Sequence, residues 1–97
     1  MHKNVVWSPL SEIDLENIFD YLQGEWNQQV VIRFLDKVEI LITQIAKNPK
    51  QFPLVNKKRN IRKCVINKQN TIFYRENKGY VELLRIFDTR QNPQKKK

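Results

Sequence analysis

The chain has 97 residues, a hydrophobic fraction of 40% and a formal net charge of +8. This length allows one domain with a single modest core, and the hydrophobic fraction excludes a wholly disordered chain. No apolar run approaches the roughly 20 residues that a transmembrane helix needs. Residues 1–7 also lack the apolar stretch of a secretory signal. We therefore expect a cytoplasmic protein, and a single cysteine, Cys64, agrees with a reducing compartment.

The charge is divided unevenly along the chain. Residues 1–47 carry four cations and seven acids, whereas residues 48–97 carry 14 cations and three acids, which gives net charges of −3 and +11. A basic half in a small domain favours a nucleic acid, an acidic protein or both as partners. A membrane surface is disfavoured, because the basic half has the pattern of strands rather than of an amphipathic helix.

The first half of the chain predicts a short strand followed by two helices. Residues 3–7 are β-like, and Ser8-Pro9 then suits a helix start, with Gly24 closing the helix. The first buried stripe is formed by Leu15, Ile18, Phe19 and Leu22. The second is formed by Val31, Phe34, Leu35, Val38, Leu41, Ile42 and Ile45. The short connection predicts an antiparallel hairpin, and a coiled-coil dimer is the alternative interpretation of the second stripe.

The second half of the chain predicts three strands, at residues 61–66, 71–75 and 80–87, separated by two sequences that suit hairpin turns. In the last strand, alternation places two apolar residues (Leu84, Ile86) on one face and three (Val81, Leu83, Phe87) on the other. It is therefore either a central strand or one whose open face receives a partner. The predicted fold is a single α+β domain of order β-α-α-β-β-β, with an N-terminal helical hairpin packed on one face of an antiparallel sheet. We assign the domain to residues 1–93 and expect residues 94–97 to form a basic, disordered tail.

Several short motifs occur in order along nearly the whole chain. They are Val6-Trp7-Ser8-Pro9, Phe34-Leu35 with Val38, Asn48-Pro49 through Phe52-Pro53, Ile61-Arg62-Lys63, Ile72-Phe73-Tyr74, and LRIFDTRQNP at residues 84–93. The ordered set resembles the RelE/ParE superfamily of toxins from bacterial type II toxin–antitoxin modules. The resemblance implies a toxin that inhibits growth, as in plasmid stabilisation, until its cognate antitoxin binds it. An antitoxin helix or strand could cover the apolar surface of the hairpin or of the last strand.

The resemblance leaves two targets open, because RelE-like members cut messenger RNA on the ribosome, whereas ParE-like members poison DNA gyrase without nuclease chemistry. RNA cleavage needs a proton acceptor, a proton donor and cations. Arg62 and Arg90 fall where the family carries basic functional residues. However, Cys64 and Thr71 stand where RelE has a lysine and an arginine, and Asp88 stands where many relatives have histidine. This depleted set favours a ParE-like protein binder.

A nuclease would have to rely on Arg62, Asp88 and Arg90 as its catalytic residues, because the only histidine, His2, is at the N-terminus. The alternative for Asp88 is an ion pair with a neighbouring arginine that ends the strand. For Arg90, an anion contact and a structural ion pair both stay open, since a guanidinium suits phosphate and carboxylate equally. A third hypothesis is a toxin-fold protein that has lost toxicity and only binds its antitoxin.

Five further cations are candidate contacts for the target or the antitoxin: Lys57, Lys58, Arg59, Lys63 and Arg85. The first three fall in a predicted loop, where charge runs are usually solvated. No cluster of histidine, cysteine and acidic residues has the spacing of metal ligands. We therefore predict no metal and no cofactor. The expected partners are an antitoxin and either gyrase or the ribosome with messenger RNA, and we expect no membrane and no small-molecule substrate.

Overall fold

The helices and strands follow the predicted order with one addition. The computed structural model describes residues 3–91, so the predicted tail lies outside the described residues. The elements are β1 (Asn4–Trp7), α1 (Pro9–Glu25), α2 (Gln28–Lys47), β2 (Leu54–Asn56), β3 (Ile61–Val65), β4 (Asn70–Asn77) and β5 (Tyr80–Asp88). Short 3₁₀ turns occupy Pro49–Gln51 and Thr89–Gln91. The added strand is β2, whose three residues are all exposed and therefore carry no apolar alternation.

The five strands form one sheet in the order β1-β5-β4-β3-β2. Strands β2 to β5 pair antiparallel, whereas β1 pairs parallel with β5, so the sheet is antiparallel except at one edge. The predicted α+β fold is confirmed, and β5 is an interior strand between β1 and β4. The N-terminal strand thus closes the sheet beside the last strand of the chain.

Side-chain caps begin both helices of the hairpin. The backbone N–H of Ser11 donates to Ser8 Oγ at 3.0 Å, and that of Val30 donates to Asn27 Oδ1 at 3.1 Å. Such caps satisfy N–H groups that lack a partner within the helix. Gly24 does not end the first helix as predicted. The helix continues to Glu25 because the N–H of Trp26 still donates to a carbonyl of its last turn.

The core lies between the hairpin and one face of the sheet. Its buried residues from the helices are Ile18, Leu22, Val31, Phe34, Val38 and Ile45, and those from the strands and the residue after β3 are Cys64, Ile66, Ile72, Tyr74, Val81, Leu83 and Ile86. The apolar stripe of α2 is thus buried against the protein's own sheet, as the hairpin prediction requires. Within residues 3–91, no helix packs on the opposite face of the sheet, and we call it the open face.

A β-bulge in β5 overturns the predicted assignment of apolar residues to its two faces. Tyr74 of β4 lies opposite Leu83, and the preceding Phe73 lies opposite Arg85, so Leu84 is an extra residue. An extra residue reverses the alternation beyond it. Ile86 is therefore buried under the helices with Val81 and Leu83, whereas Phe87 is exposed on the open face.

Ser8 holds the bulge from the side of β1. Its backbone N–H donates to the carbonyl of Leu83 at 3.0 Å, and its hydroxyl donates to the carbonyl of Leu84 at 2.9 Å. The same side chain caps α1, so one residue fixes both the helix start and the irregular point of β5. Among residues 3–91, neither helix is long and apolar enough to cross a membrane.

Candidate functional site

The terminal motif places Asp88 and Arg90 in contact with each other. Arg90 donates from Nε to Asp88 Oδ1 at 3.1 Å and from Nη2 to Oδ2 at 3.2 Å, and its backbone N–H also donates to Oδ1 at 2.9 Å. The side chain of Asp88 is 3% exposed and that of Arg90 is 25% exposed. The carboxylate therefore accepts from its own neighbour and ends β5, as the structural alternative for Asp88 supposed.

Two further side chains hold the guanidinium of Arg90. Its Cζ atom lies 4.8 Å from the centre of the Tyr21 ring, and its Nη2 donates to Asn70 Oδ1 at 3.3 Å. A guanidinium over an aromatic face gains a cation–π interaction. The remaining nitrogen, Nη1, makes no hydrogen bond within residues 3–91. Arg90 thus uses Nε and Nη2 for hydrogen bonds within the protein, and its Nη1 group remains available as a donor to a partner.

Arg62 lies on the helix-covered face and binds the segment that follows α2. Its Nη1 donates to the carbonyl of Phe52 at 2.6 Å and to that of Lys50 at 3.2 Å. Tyr74, which pairs with Arg62 across the strands, donates its hydroxyl to the carbonyl of Pro49 at 2.6 Å. Arg62 Nε is buried without a hydrogen-bond partner. Arg62 therefore fixes the segment after α2 to the sheet through these two carbonyls.

The three residues of the nuclease hypothesis do not form one site. Arg62 pairs with Tyr74, whereas Arg90 contacts Asn70, four residues away along β4. Four residues of a strand span roughly 13 Å. The neighbouring thiol and phenol are not proton acceptors near neutral pH either, since burial raises the pKa of the Cys64 thiol to about 11 and is the main cause that raises the pKa of Tyr74 to about 12.

The open face carries apolar side chains between cations. In register across β3, β4 and β5, one row consists of Lys63, Phe73 and Arg85, and the next consists of Val65, Thr71 and Phe87. Val65 and Phe87 are 55% and 40% exposed. The face is therefore an apolar and basic surface of the kind that protein interfaces use.

Asp14 of α1 reaches the edge of β5 and binds Arg85 in a bidentate pair. Arg85 Nε donates to Oδ2 at 2.8 Å and Nη2 to Oδ1 at 3.0 Å, while the backbone N–H of Ile86 also donates to Oδ2 at 2.9 Å. The hydrogen bonds to Asp14 raise the pKa of Arg85. The side chain of Arg85 nevertheless stays 54% exposed, so it remains accessible to a partner.

The other predicted contacts lie in or beside the loop between β2 and β3. Lys57, Lys58 and Arg59 are exposed and in a tight turn that Asn60 closes with a φ of 57°. Lys63 is exposed on the open face, and none of these four cations has an ion-pair partner within residues 3–91. The structure thus brings Lys63 and Arg85 together on one surface and leaves the three loop residues at the β2–β3 end of the sheet.

A separate cavity of about 330 Å³ opens between the bend of the hairpin and the β3–β4 turn, and we call it the hairpin cleft. Its lining residues are Leu22, Trp26, Val30, Arg33, Phe34, Lys37, Asn67, Gln69, Asn70 and Arg90. None of the ten is acidic. Arg33 and Lys37 have no hydrogen-bond or ion-pair partner among the described residues, so the cleft presents unpaired positive charge beside apolar side chains.

Sequence reasoning missed four residues that shape these surfaces. Asp14 lies in the first helix and binds Arg85, which is 71 residues away in β5. Tyr21, Arg33 and Lys37 lie on the helices and become neighbours of Arg90 only through the fold. A signal was present in α2, where Arg33 and Lys37 stand one turn apart. Within residues 3–91, no group of three metal-ligating side chains lies close enough together to hold an ion.

Comparison with known proteins identifies one family. The family of the ParE toxin of the type II toxin–antitoxin system parDE matches residues 5–93. No curated protein sequence matches the chain.

Solved structures share the fold. The chromosomal ParDE system from P. aeruginosa has a TM-score of 0.75 at 12% identity, covering 90% of this chain and 96% of that chain. The YoeB dimer from Staphylococcus aureus has a TM-score of 0.63 at 15% identity, covering 90% and 97%. The toxin–antitoxin complex RelBE2 from Mycobacterium tuberculosis has a TM-score of 0.61 at 14% identity, covering 91% and 99%. At these identities the similarity shows a shared fold and nothing about activity or partners.

Proposed function

Because the chain belongs to the ParE toxin family of type II toxin–antitoxin systems, we propose that it stops growth by binding DNA gyrase as a protein ligand. A cognate antitoxin relieves this inhibition by binding the toxin, in the cytoplasm. Family membership makes it a toxin of such a module. The choice of gyrase over ribosome-bound messenger RNA depends on the residues of this chain.

The observation that carries the proposal is the internal use of the arginines that a nuclease would need. Arg62 binds two backbone carbonyls, and Arg90 binds Asp88. A catalytic cation must instead face the phosphate whose charge develops in the transition state. On the open face, Thr71 and Phe87 pair in register and provide neither a base nor a cation. This chemistry supports binding rather than RNA cleavage.

The open face supports a protein as the target. Lys63 and Arg85 flank Phe73, and Phe87 lies in the next row. Aromatic side chains beside arginine are typical of the residues that dominate binding energy in protein interfaces. The loop cations Lys57 to Arg59 extend the positive surface toward β2 and add electrostatic attraction for an acidic partner.

An antitoxin partner has independent support. The similar structure RelBE2 is a toxin–antitoxin complex. The +8 charge of this chain favours an acidic partner. We therefore propose that the neighbouring reading frame encodes a protein that forms a stable complex with this toxin. Recovery of only free toxin after co-expression of the two would count against this part of the proposal.

A paired assay tests the target. Purified wild-type toxin is added to gyrase-catalysed supercoiling and, separately, to a translation reaction in which cuts in ribosome-bound messenger RNA are mapped. We expect supercoiling to be inhibited and the messenger RNA to stay intact. The variant Lys63→Glu should inhibit gyrase roughly tenfold less, because it reverses an exposed charge on the open face. Lys47→Glu, the same change at the end of α2, is the matched control and should inhibit as wild type does.

Two outcomes contradict the proposed function, and a third contradicts the role of the open face. Mapped cuts in ribosome-bound messenger RNA would establish the RelE-like endoribonuclease instead. Normal growth on induced expression, with soluble folded toxin in the cells, would indicate a relative that has lost toxicity and only binds its antitoxin. Equal inhibition by Lys63→Glu and Lys47→Glu would remove the open face from the interface with gyrase.

A further inference from the structure

The β-bulge at Leu84 determines the face on which Arg85 lies. In a regular strand, Arg85 would share the buried face of Leu83, because side chains two residues apart lie on the same side. The extra residue instead places Arg85 on the open face, in register with Phe73. Ser8 holds this bulge through the carbonyls of Leu83 and Leu84, at 3.0 and 2.9 Å. Bulges often redirect a side chain toward a functional surface, and this bulge redirects Arg85.

Asp14 fixes the guanidinium of Arg85 in this position. Its two carboxylate oxygens accept from Nε at 2.8 Å and from Nη2 at 3.0 Å, whereas the third nitrogen, Nη1, makes no hydrogen bond within residues 3–91. The side chain of Asp14 is 12% exposed and that of Arg85 is 54% exposed. An ion pair with so exposed an arginine adds little to stability. Its main consequence is therefore that the exposed side of the guanidinium has a fixed direction.

The surroundings of Arg85 favour a carboxylate of a protein as its ligand. Phe73 lies beside it, and an arginine next to an aromatic ring is typical of the residues that dominate binding energy in protein interfaces. A nucleic-acid site would need several cations that follow the phosphate backbone. The next row of the open face, formed by Val65, Thr71 and Phe87, carries no cation. The guanidinium itself is well suited to a carboxylate.

We infer that Arg85 is an anchor residue of the interface with gyrase, where its Nη1 group donates to a carboxylate of gyrase, and that Asp14 is its positioning residue. This inference rests on the proposed function, because it takes gyrase as the partner. It goes further by assigning one contact of the toxin and an acidic side chain of the partner. An arginine whose conformation is already fixed loses less conformational entropy on binding. Asp14 thus strengthens the complex through Arg85.

The test measures the affinity of the full-length toxin for purified gyrase without DNA by titration calorimetry. Arg85→Ala should lower the affinity about 20-fold, as expected for an anchor arginine. Arg85→Lys should still lower it about tenfold, because an ammonium group keeps the charge but lacks the planar fork. Lys47→Ala removes one exposed cation at the end of α2 and is the matched control, which should change the affinity no more than about twofold.

A second set of variants separates positioning from folding. Asp14→Asn keeps an oxygen for the N–H of Ile86 but replaces the other oxygen by an N–H₂ group, which cannot accept from Arg85. We expect it to lower the affinity about fivefold, and to have no further effect when it is combined with Arg85→Ala. Asp20→Asn, at an exposed position of the same helix, should bind as wild type does. Urea denaturation gives the folded fraction of each variant, and affinities are compared per folded molecule.

Four outcomes would overturn the inference while the proposed function stands. Arg85→Ala could bind as tightly as Lys47→Ala, or Arg85→Lys as tightly as wild type. Additive losses for Asp14→Asn and Arg85→Ala would show that Asp14 acts through the fold. A loss for Arg85→Ala in supercoiling inhibition, without a loss in binding to DNA-free gyrase, would assign Arg85 to a DNA phosphate. Failure of the wild type to bind or inhibit gyrase would instead refute the proposed function and, with it, this inference.

Discussion

The two faces of the sheet use their cations in different ways. On the helix-covered face, backbone carbonyls hold Arg62 and a buried carboxylate holds Arg90. On the open face, Lys63 is exposed without an ion-pair partner in the described part of the chain, and Arg85 stays 54% exposed although Asp14 binds it. A residue that matches a family motif can therefore serve the fold alone. The face on which it lies decides whether its donors reach a partner.

The largest effect should follow from removing the carboxylate on the helix-covered face. Asp88→Ala leaves the guanidinium of Arg90 and its backbone N–H without their acceptor in a largely buried place. We expect the free energy of unfolding to fall by about 3 kcal/mol, measured by urea denaturation. Asp36→Ala, at an exposed position of α2, should leave stability unchanged. A loss for Asp88→Ala no greater than for Asp36→Ala would contradict the structural role of the pair.

A smaller effect should separate structural from catalytic use of Arg62. Arg62→Ala removes the donor to the carbonyls of Lys50 and Phe52 and should lower the free energy of unfolding by about 2 kcal/mol. Growth inhibition per folded molecule should stay as in wild type. Lys50→Ala keeps the carbonyl and should change neither quantity. Loss of inhibition by a fully folded Arg62→Ala protein would favour the nuclease hypothesis.

The smallest effect is a loss of stability at alkaline pH, caused by burial of the Cys64 thiol on the helix-covered face. Burial raises the pKa of the Cys64 thiol from 9.0 to about 11. The native state therefore keeps its proton where the unfolded state loses it, so stability is complete below pH 9 and falls as the pH rises toward 11. At pH 10 the loss should be about 1.4 kcal/mol, measured by urea denaturation between pH 8 and pH 10. Cys64→Ala should flatten this slope, and an unchanged slope would show that the thiol does not cause it.

The elements with strong periodicity could be predicted from the sequence, and the irregular ones could not. The seven apolar residues of α2 define a buried stripe by themselves, and turn residues bound the three C-terminal strands. Strand β2 has no alternating pattern because all its residues are exposed. The bulge at Leu84 depends on hydrogen bonds from Ser8, 76 residues earlier in the chain. A contact over such a distance leaves no local trace.

The same limit applies to the candidate site. The pair of Asp88 and Arg90 lies within two residues and could be anticipated as an alternative. The pairing of Arg85 with Asp14 and the meeting of Arg33, Lys37 and Arg90 around the hairpin cleft join distant segments. Sequence could therefore name the basic positions of the second half of the chain, but it missed Arg33 and Lys37. It also could not separate arginines that bind within the protein from those that stay exposed to a partner.

The parallel pairing of β1 with β5 has a consequence for how the toxin becomes complete. Asn4 lies beside Tyr80 and Trp7 beside Leu83, so β1 can pair only after residues 80–83 have been synthesised. Contacts between the two ends of a chain form late, since closing a long loop costs entropy before any contact repays it. During synthesis the hairpin and its apolar stripe precede the strands that bury them. We therefore expect the sheet to be completed late, when β5 has been synthesised and β1 can pair with it.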